Sequence, residues 1–378
     1  MCQTAALALV LVLALAGCAS PKLFRTAVTG YGPERYSAWF GDERDGVIYF
    51  GLSPFWTALR ASGDPTADLD EPSAHLIGRF DTARDEFLPP LVATLPGPDS
   101  RSSVWDVLAH PNGWIYYTTY FEEMGRVRPS TGDVEKFASL GSGLNEIALG
   151  PDQNLYVTRY SSLAHAHAAR DGSVVVVSPE GKLLREQVLS ARAGAVTAPK
   201  SLAVDPLSGD VWVNADVIGR DGVVSYAAFH LGPDLRLREK LPAPPELLFV
   251  AFDGDGRGFF VEDRSGELWL RVQKAGQPLA ELDLGARAAA DFAQDIHFAA
   301  DGAAAIAFWS GRVEVVKQSP AGLRHATIVL EKPPECAGPG QNAVFYSAFL
   351  GAKSVYATLY CDAAIARAPL PDGFQAPR

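Results

Sequence analysis

Along most of the chain, apolar residues come in short bursts separated by turns rich in Gly, Pro, Asp and Asn, and no stretch carries the long 3.6-residue periodicity of an amphipathic helix. Residues 144–160, LNEIALGPDQNLYVTRY, show the unit plainly. Ile147, Ala148 and Leu149 predict a short inner strand, 150–153 a tight turn, and 155–158 a second strand running back. The second strand recurs at 47–50, 115–118, 211–214, 258–262, 305–308 and 355–358, each time after a turn. Turn-to-turn spacing runs from 40 residues (Pro111 to Pro151) to 66 (Asp45 to Pro111), the period of propeller blades with loop insertions. Third strands are expected at 77–80, 125–128, 173–177, 222–226, 267–272 and 312–316, and fourth strands after further turns such as 130–133 and 179–181. None of these four-stranded units can bury both faces alone. Together they predict an all-β chain closed radially as a single β-propeller of seven four-stranded blades, with six as the alternative.

A closed ring requires the ends of the chain to meet, since an open edge blade would expose backbone groups. The last unit supplies strands at 344–349, 355–360 and 364–368 and is one strand short; residues 24–29 are expected to provide the missing outer strand. The resulting division is 1–17 as signal, 18–30 as lipidated cysteine and tether, 31–372 as propeller and 373–378 as tail.

The N-terminus departs from the repeat. Twelve apolar residues, 5–16, end in Leu15-Ala16-Gly17-Cys18. That run is shorter than the ~20 residues of a membrane-spanning helix and fits an export signal. Its end resembles the bacterial lipoprotein box, in which the cysteine becomes the lipidated first residue, although no Lys or Arg precedes the apolar run. Ala19 then resembles the sorting pattern of outer-membrane lipoproteins, so a cell-envelope location facing the periplasm or the surface is expected. The formal net charge of −11 argues against nucleic acid and against electrostatic adhesion to anionic lipid, leaving the acyl anchor as the membrane contact. Of four cysteines, Cys2 leaves with the signal and Cys18 takes the lipid; Cys336 and Cys361 remain, an even pair expected to form a disulfide in the closing unit.

The order of inner strand, Pro-Asp/Asn-Gly turn, Tyr-x-Thr strand, Gly-Arg strand and Thr-Gly turn resembles the NHL-repeat propellers, the streptogramin lyases and the gluconolactonase (senescence-marker) family. The resemblance covers nearly the whole mature chain and implies the propeller fold. For the gluconolactonases it implies a Glu near the first inner strand and Asn and Asp at later inner-strand starts, holding a metal. Asn145 matches the Asn position, residues 36–39 lack the Glu, and the late position is Gln294 followed by Asp295. For the lyases it implies a base beside a bound metal. Glu262 is the one comparable Glu at a second-strand end, and His297 lies two residues beyond Asp295.

Functional groups in a propeller converge where inner strands start and where second-to-third-strand loops rise. Aligned on their turns, the units put Asp106, Glu146, Ser201, Phe249 and Asp295 at one inner-strand position, with Trp105, Asn145, Lys200, Leu248 and Gln294 just before. Asp106, Glu146 and Asp295 are therefore candidate oxygen ligands for Ca²⁺ or another divalent cation, or else hydrogen-bond acceptors for neighbouring blades. Trp105, Asn145, Lys200, Gln294 and the strand-end Arg159 are candidate binding residues. Three loops look enlarged: 52–74 with Trp56, 161–172 with His165 and His167 at a spacing able to chelate a metal, and 217–221 with Arg220. Gly-x-Ser-x-Gly, phosphate-loop, Cys-x-x-Cys and His-Glu-x-x-His motifs are absent. The leading expectation is a lipid-anchored envelope propeller that binds a protein, peptide or glycan through its loop-bearing face. The alternative is a metal-dependent lyase or lactone hydrolase at the channel mouth.

Overall fold

The structure is a computed structural model and describes residues 22–25, 36–53, 74–94, 104–119, 124–137, 140, 143–159, 171–191, 193–241, 246–274, 280–287, 291–319, 322–330, 345–360 and 363–375. Twenty-eight strands form seven separate four-stranded antiparallel sheets, and no helix occurs among the described residues. Blades 1 to 6 follow chain order, each running from inner to outer strand. Their inner strands are β2 (Ser37–Arg44), β6 (Val104–Ala109), β10 (Leu144–Leu149), β14 (Ala195–Val204), β18 (Glu246–Phe252) and β22 (Ala293–Phe298). The seventh blade contains β26 (Phe345–Leu350), β27 (Ser354–Leu359) and β28 (Ala364–Pro369), and takes its outer strand, β1 (Lys22–Arg25), from the N-terminal end.

Every second strand expected from the sequence is present. The period-2 patterning explains why each sheet packs on both sides. Most buried apolar clusters straddle two neighbouring blades, as where Phe50 and Phe80 of blade 1 meet Phe349 and Tyr356 of blade 7. Closure follows the expected route but in a shifted place. The closing strand pairs Lys22 to Arg25 with Arg367 to Ala364, so it begins inside the stretch assigned to the tether. The Phe24 ring lies 5.1 Å from that of Phe80, and the Tyr356 hydroxyl reaches Asp85 at 2.9 Å, tying blade 7 to blade 1.

Blade 4 differs from the sequence expectation. Residues 217–221 are no enlarged loop: β15 (Val211–Gly219) and β16 (Val224–Leu231) continue as a ladder to a tight turn in which Gly222 has a φ of 76°. Its third strand therefore starts at Val224, not at Gly222, because glycine's freedom at positive φ serves the turn. With β14 ten residues long, this blade stands above its neighbours at the inner-strand start. Cys18, Cys336, Cys361, Trp56, His165 and His167 lie outside the described residues.

Candidate functional site

All seven inner strands break register at one equivalent place, between Ala38 and Gly41, Val104 and Asp106, Leu144 and Ile147, Pro199 and Ser201, Leu247 and Phe249, Ala293 and Asp295, and Phe345 and Ala348. A bulge turns an extra side chain out of the ladder and leaves a backbone N–H without its strand partner. The ring of residues at this point is Phe40, Asp106, Glu146, Ser201, Phe249, Asp295 and Ser347. Five of them, with Asp42 and His297 two residues further in, line a central cavity of about 250 Å³.

Polar residues at and just below the ring accept backbone N–H groups of the inner strands, several of them next to the bulges. Asp106 accepts from its own Val107 N–H at 2.7 Å and from Ile147 N–H of blade 3 at 2.8 Å. Glu146 accepts from Leu202 N–H of blade 4 at 2.9 Å, and Asp42 from Ala109 N–H of blade 2 at 2.8 Å. Ser347 Oγ accepts from Gly41 N–H of blade 1 at 3.2 Å and donates to Asp295 of blade 6. The carboxyl of one blade thus holds the backbone of the next, which is the acceptor role weighed against metal ligation. Thr158 and Thr358, from the Tyr-x-Thr signature, accept from the bulge N–H of Glu146 (3.1 Å) and Ser347 (3.0 Å).

Burial dominates the electrostatics of this ring. It pushes the carboxyls of Asp106 and Glu146 well above the usual range, each raised further by neighbouring carboxylates, and it raises that of Asp42 against the opposing pull of His297. His297 lies 2.8 Å from Asp295, and its ring centre is 4.3 Å from that of Phe349, tilted by 34°. Burial works to lower its pKa, but the charge and hydrogen bond of Asp295, with Asp42 and Asp106 behind, lift it to about 9. The imidazole is therefore protonated at neutral pH. Ser347, His297 and Asp295 do not form a nucleophilic triad, since the serine is bonded to the aspartate and not to the imidazole.

The donor set does not suit a resident metal ion. Asp106 and Asp295 use both oxygens on protein donors, and among the described residues no group of three or more His, Cys, Asp or Glu is gathered closely enough to hold a cation. Two further candidates are occupied elsewhere. Glu262 is held between Arg264 at 2.8 Å and Arg271 at 2.7 Å, and Arg159 between Glu186, Ser173 and the Leu140 carbonyl. Both act as ties within their own blades.

The mouth above the ring has two unlike sides. Over blades 7, 1 and 2, Trp39 packs against Trp105 (4.0 Å between centroids), Tyr346 (4.9 Å) and Tyr360 (4.7 Å), forming an aromatic wall extended by Phe40 and Trp309. Over blades 3 to 5 the lining is polar. Asn145 is 6 % exposed, Ser201 3 %, Asn214 5 % and Asp216 9 %, yet Asn145 Oδ1, Ser201 Oγ, both amide atoms of Asn214 and Asp216 Oδ1 have no hydrogen-bond partner among the described residues. Glu246 Oε1 shares this condition. These groups are neighbours: Asn214 faces Ser201 across the ladder, Asp216 pairs with Lys200 at 2.9 Å, and the Asn145 amide approaches the Lys200 carbonyl at 3.5 Å. Gln294, the corresponding residue of blade 6, approaches the carbonyl of its neighbour Ala293 at 3.5 Å.

Sequence alignment of the turns located Trp105, Asn145, Lys200 and the three carboxylates of the ring. It missed Asp42, because blade 1 has Phe40 at the ring position and a shorter turn, and it missed Ser347 of blade 7 as well as Asn214, Asp216 and Glu246. A signal for Asn214 was present in the replacement of the repeated Thr by Asn at the second-strand end.

No family model and no curated protein matches the chain. Among solved structures it is similar to virginiamycin B lyase from Staphylococcus aureus, a catalytically inactive histidine-to-alanine variant with quinupristin, at 13 % identity and a TM-score of 0.57 over 93 % of this chain and 100 % of that one. It is also similar to YCF48 bound to D1 peptide, at 11 % identity and a TM-score of 0.52 over 93 % of this chain and 97 % of that one. At such identities the likeness is one of fold, and the fold is a seven-bladed β-propeller whose structural neighbours include a streptogramin lyase.

Proposed function

We propose that this is a lipid-anchored cell-envelope propeller that binds a peptide across its channel mouth. One observation carries the reading: four buried polar residues present hydrogen-bonding atoms without a partner among the described residues, across the ring from an aromatic wall. Unmade hydrogen bonds of buried groups cost about 1–3 kcal/mol each, so a ligand with its own donors and acceptors is the natural complement. Peptides supply both, along with apolar side chains for the wall. YCF48, a neighbour of the same fold, is bound to a peptide.

Selection of phage-displayed peptides on the immobilised mature protein tests this. Enriched peptides are expected to lose at least about tenfold in affinity when Ser201→Trp fills the mouth, with the melting temperature as control for folding. Unchanged binding by the Ser201→Trp protein would overturn the reading.

The anchor is proposed at Cys18, from which the three residues 19–21 would lead to the closing strand β1. Replacement of Cys18 by Ala is expected to move the protein from the membrane to the soluble fraction on cell fractionation. Continued membrane association would refute lipidation as the tether.

A lyase or lactone hydrolase is the second reading. It is favoured by the Asp295–His297 pair in the cavity and by the lyase neighbour, whose histidine-to-alanine variant is inactive. It ranks behind binding because His297, with a pKa of about 9, donates rather than accepts a proton at neutral pH, and because among the described residues no three His, Cys, Asp or Glu are gathered to hold a cation.

A further inference from the structure

We propose that the blade 4–5 corner of the mouth is a subsite for the cationic side chain of a basic peptide residue, and that the Lys200 ammonium occupies it when no ligand is bound. The choice of a peptide rests on the reading above; the cationic character rests on the corner itself. Lys200 Nζ lies 2.9 Å from Asp216, 5.9 Å from the Tyr226 ring and 5.8 Å from the Phe292 ring. A carboxylate flanked by aromatic faces is the arrangement that recognises ammonium and guanidinium groups. Tyr226 stands directly across from Asp216 in the raised part of blade 4, so the strand extension peculiar to this blade builds the site.

The unpartnered atoms specify the sign of the ligand. Asp216 Oδ1, Glu246 Oε1 and Asn145 Oδ1 are acceptors only, Ser201 Oγ serves either way, and Asn214 Nδ2 alone must donate. The corner is short of donors. Its formal charges, with Asp216, Glu246 and Asp263 against Lys200 and Arg287, also sum to −1. A guanidinium or ammonium brings several N–H donors and a positive charge at once, whereas an anionic ligand would face the Asp216 and Glu246 carboxyls and the Asn145 carbonyl oxygen, with donors only at Asn214, Ser201 and Lys200.

The two resident cations differ in how firmly they are held. Arg287 is fixed by Asp263, by Glu246 at 3.6 Å and by the face of Phe292 at 4.4 Å. Lys200 is half-exposed on a flexible stem and has one carboxylate partner among the described residues, so an incoming cation can displace it into solvent. The protein's charge of −11 draws cationic ligands toward the mouth.

The test uses the mature protein and two probes, Nα-acetyl-L-arginine methylamide and its neutral near-isostere Nα-acetyl-L-citrulline methylamide, titrated by calorimetry. The arginine probe is expected to bind roughly tenfold more tightly than the citrulline probe. Lys200→Met, which keeps the stem and removes the competing charge, is expected to tighten arginine binding several-fold. Asp216→Asn is expected to abolish the preference, with Glu246→Gln as a second reporter should Asp216→Asn fold poorly. Equal binding of the two probes, no binding of either by wild type and Lys200→Met, or loss of binding in Lys200→Met would each overturn the subsite. Selected peptides that lack Lys and Arg yet depend on Ser201 would refute the subsite and leave peptide binding standing. Arginine-probe binding without any selected peptide would do the reverse.

Discussion

Replacing Asp106 by Ala is expected to destabilise the propeller by roughly 3–5 kcal/mol. The carboxyl accepts from two backbone N–H groups, Val107 in its own blade and Ile147 in the next, and the substitution leaves both donors buried without an acceptor at about 1–3 kcal/mol each. Asp106 is only 7 % exposed, so the freed donors have little access to solvent. Asp106→Asn should fall between wild type and Ala, because its amide oxygen can serve one N–H while its NH₂ faces the other. Since unfolding entropy scales with chain length, the loss in Ala corresponds to a fall of roughly 5 °C in melting temperature. Urea unfolding of the three proteins checks the ranking. Equal midpoints for wild type and Ala would mean that the ring carboxylates do not hold the blades together.

The fold was legible because its determinants are local. Pro-Asp, Asp-Gly and Asn-Gly turns fall at recurrent distances from apolar alternation, and they fix where each second strand starts, from Val47 in blade 1 to Val355 in blade 7. Closure by an N-terminal strand was legible as a count, three strands where four were needed. Its position was not: Lys22–Arg25 looks like part of a polar tether, and only the ladder with β28 and the contact of Phe24 with Phe80 select it.

The site was legible only in its radial positions. Alignment on the turns brings Asp106, Glu146 and Asp295 to one ring, and the structure gathers them there. What those carboxylates do depends on which N–H each bulge releases, and that is set by the neighbouring blade rather than by any motif. Thus Glu146 answers to Leu202, 56 residues away. The blade 4–5 corner was illegible for a different reason. Strand length above the mouth is decided by cross-strand pairing, so residues 217–221 read as loop, and Asp216 and Tyr226 gained a shared face only when the ladder was seen to continue past them.

Stability is expected to fall as pH rises from neutrality toward 10, and His297 should account for the largest share of the fall. Its pKa in the folded protein is about 9, above the 6.5 of the free side chain, so the native state holds this proton more tightly than the unfolded chain does. The associated stabilisation is complete below about pH 6.5 and is lost as pH climbs through about 9. A shift of this size corresponds to roughly 3 kcal/mol. The carboxyls act in the same direction. Asp42, Asp106 and Glu146 are all raised, chiefly by burial, so folding also favours their protonated forms and their ionisation with rising pH opposes the native state. Replacement of His297 by Gln keeps a polar group near Asp295 but removes the titrating charge, leaving Asp295, Asp42 and Asp106 without their cation. The variant should be destabilised at pH 6 and show a markedly flatter profile between pH 6.5 and 9, with the two proteins converging above it. Thermal unfolding at intervals from pH 6 to 10 gives both curves. Parallel profiles, or a wild type that gains stability with rising pH, would show that the cavity does not carry an imidazolium. They would also return His297 to the neutral form that a proton-abstracting lyase requires.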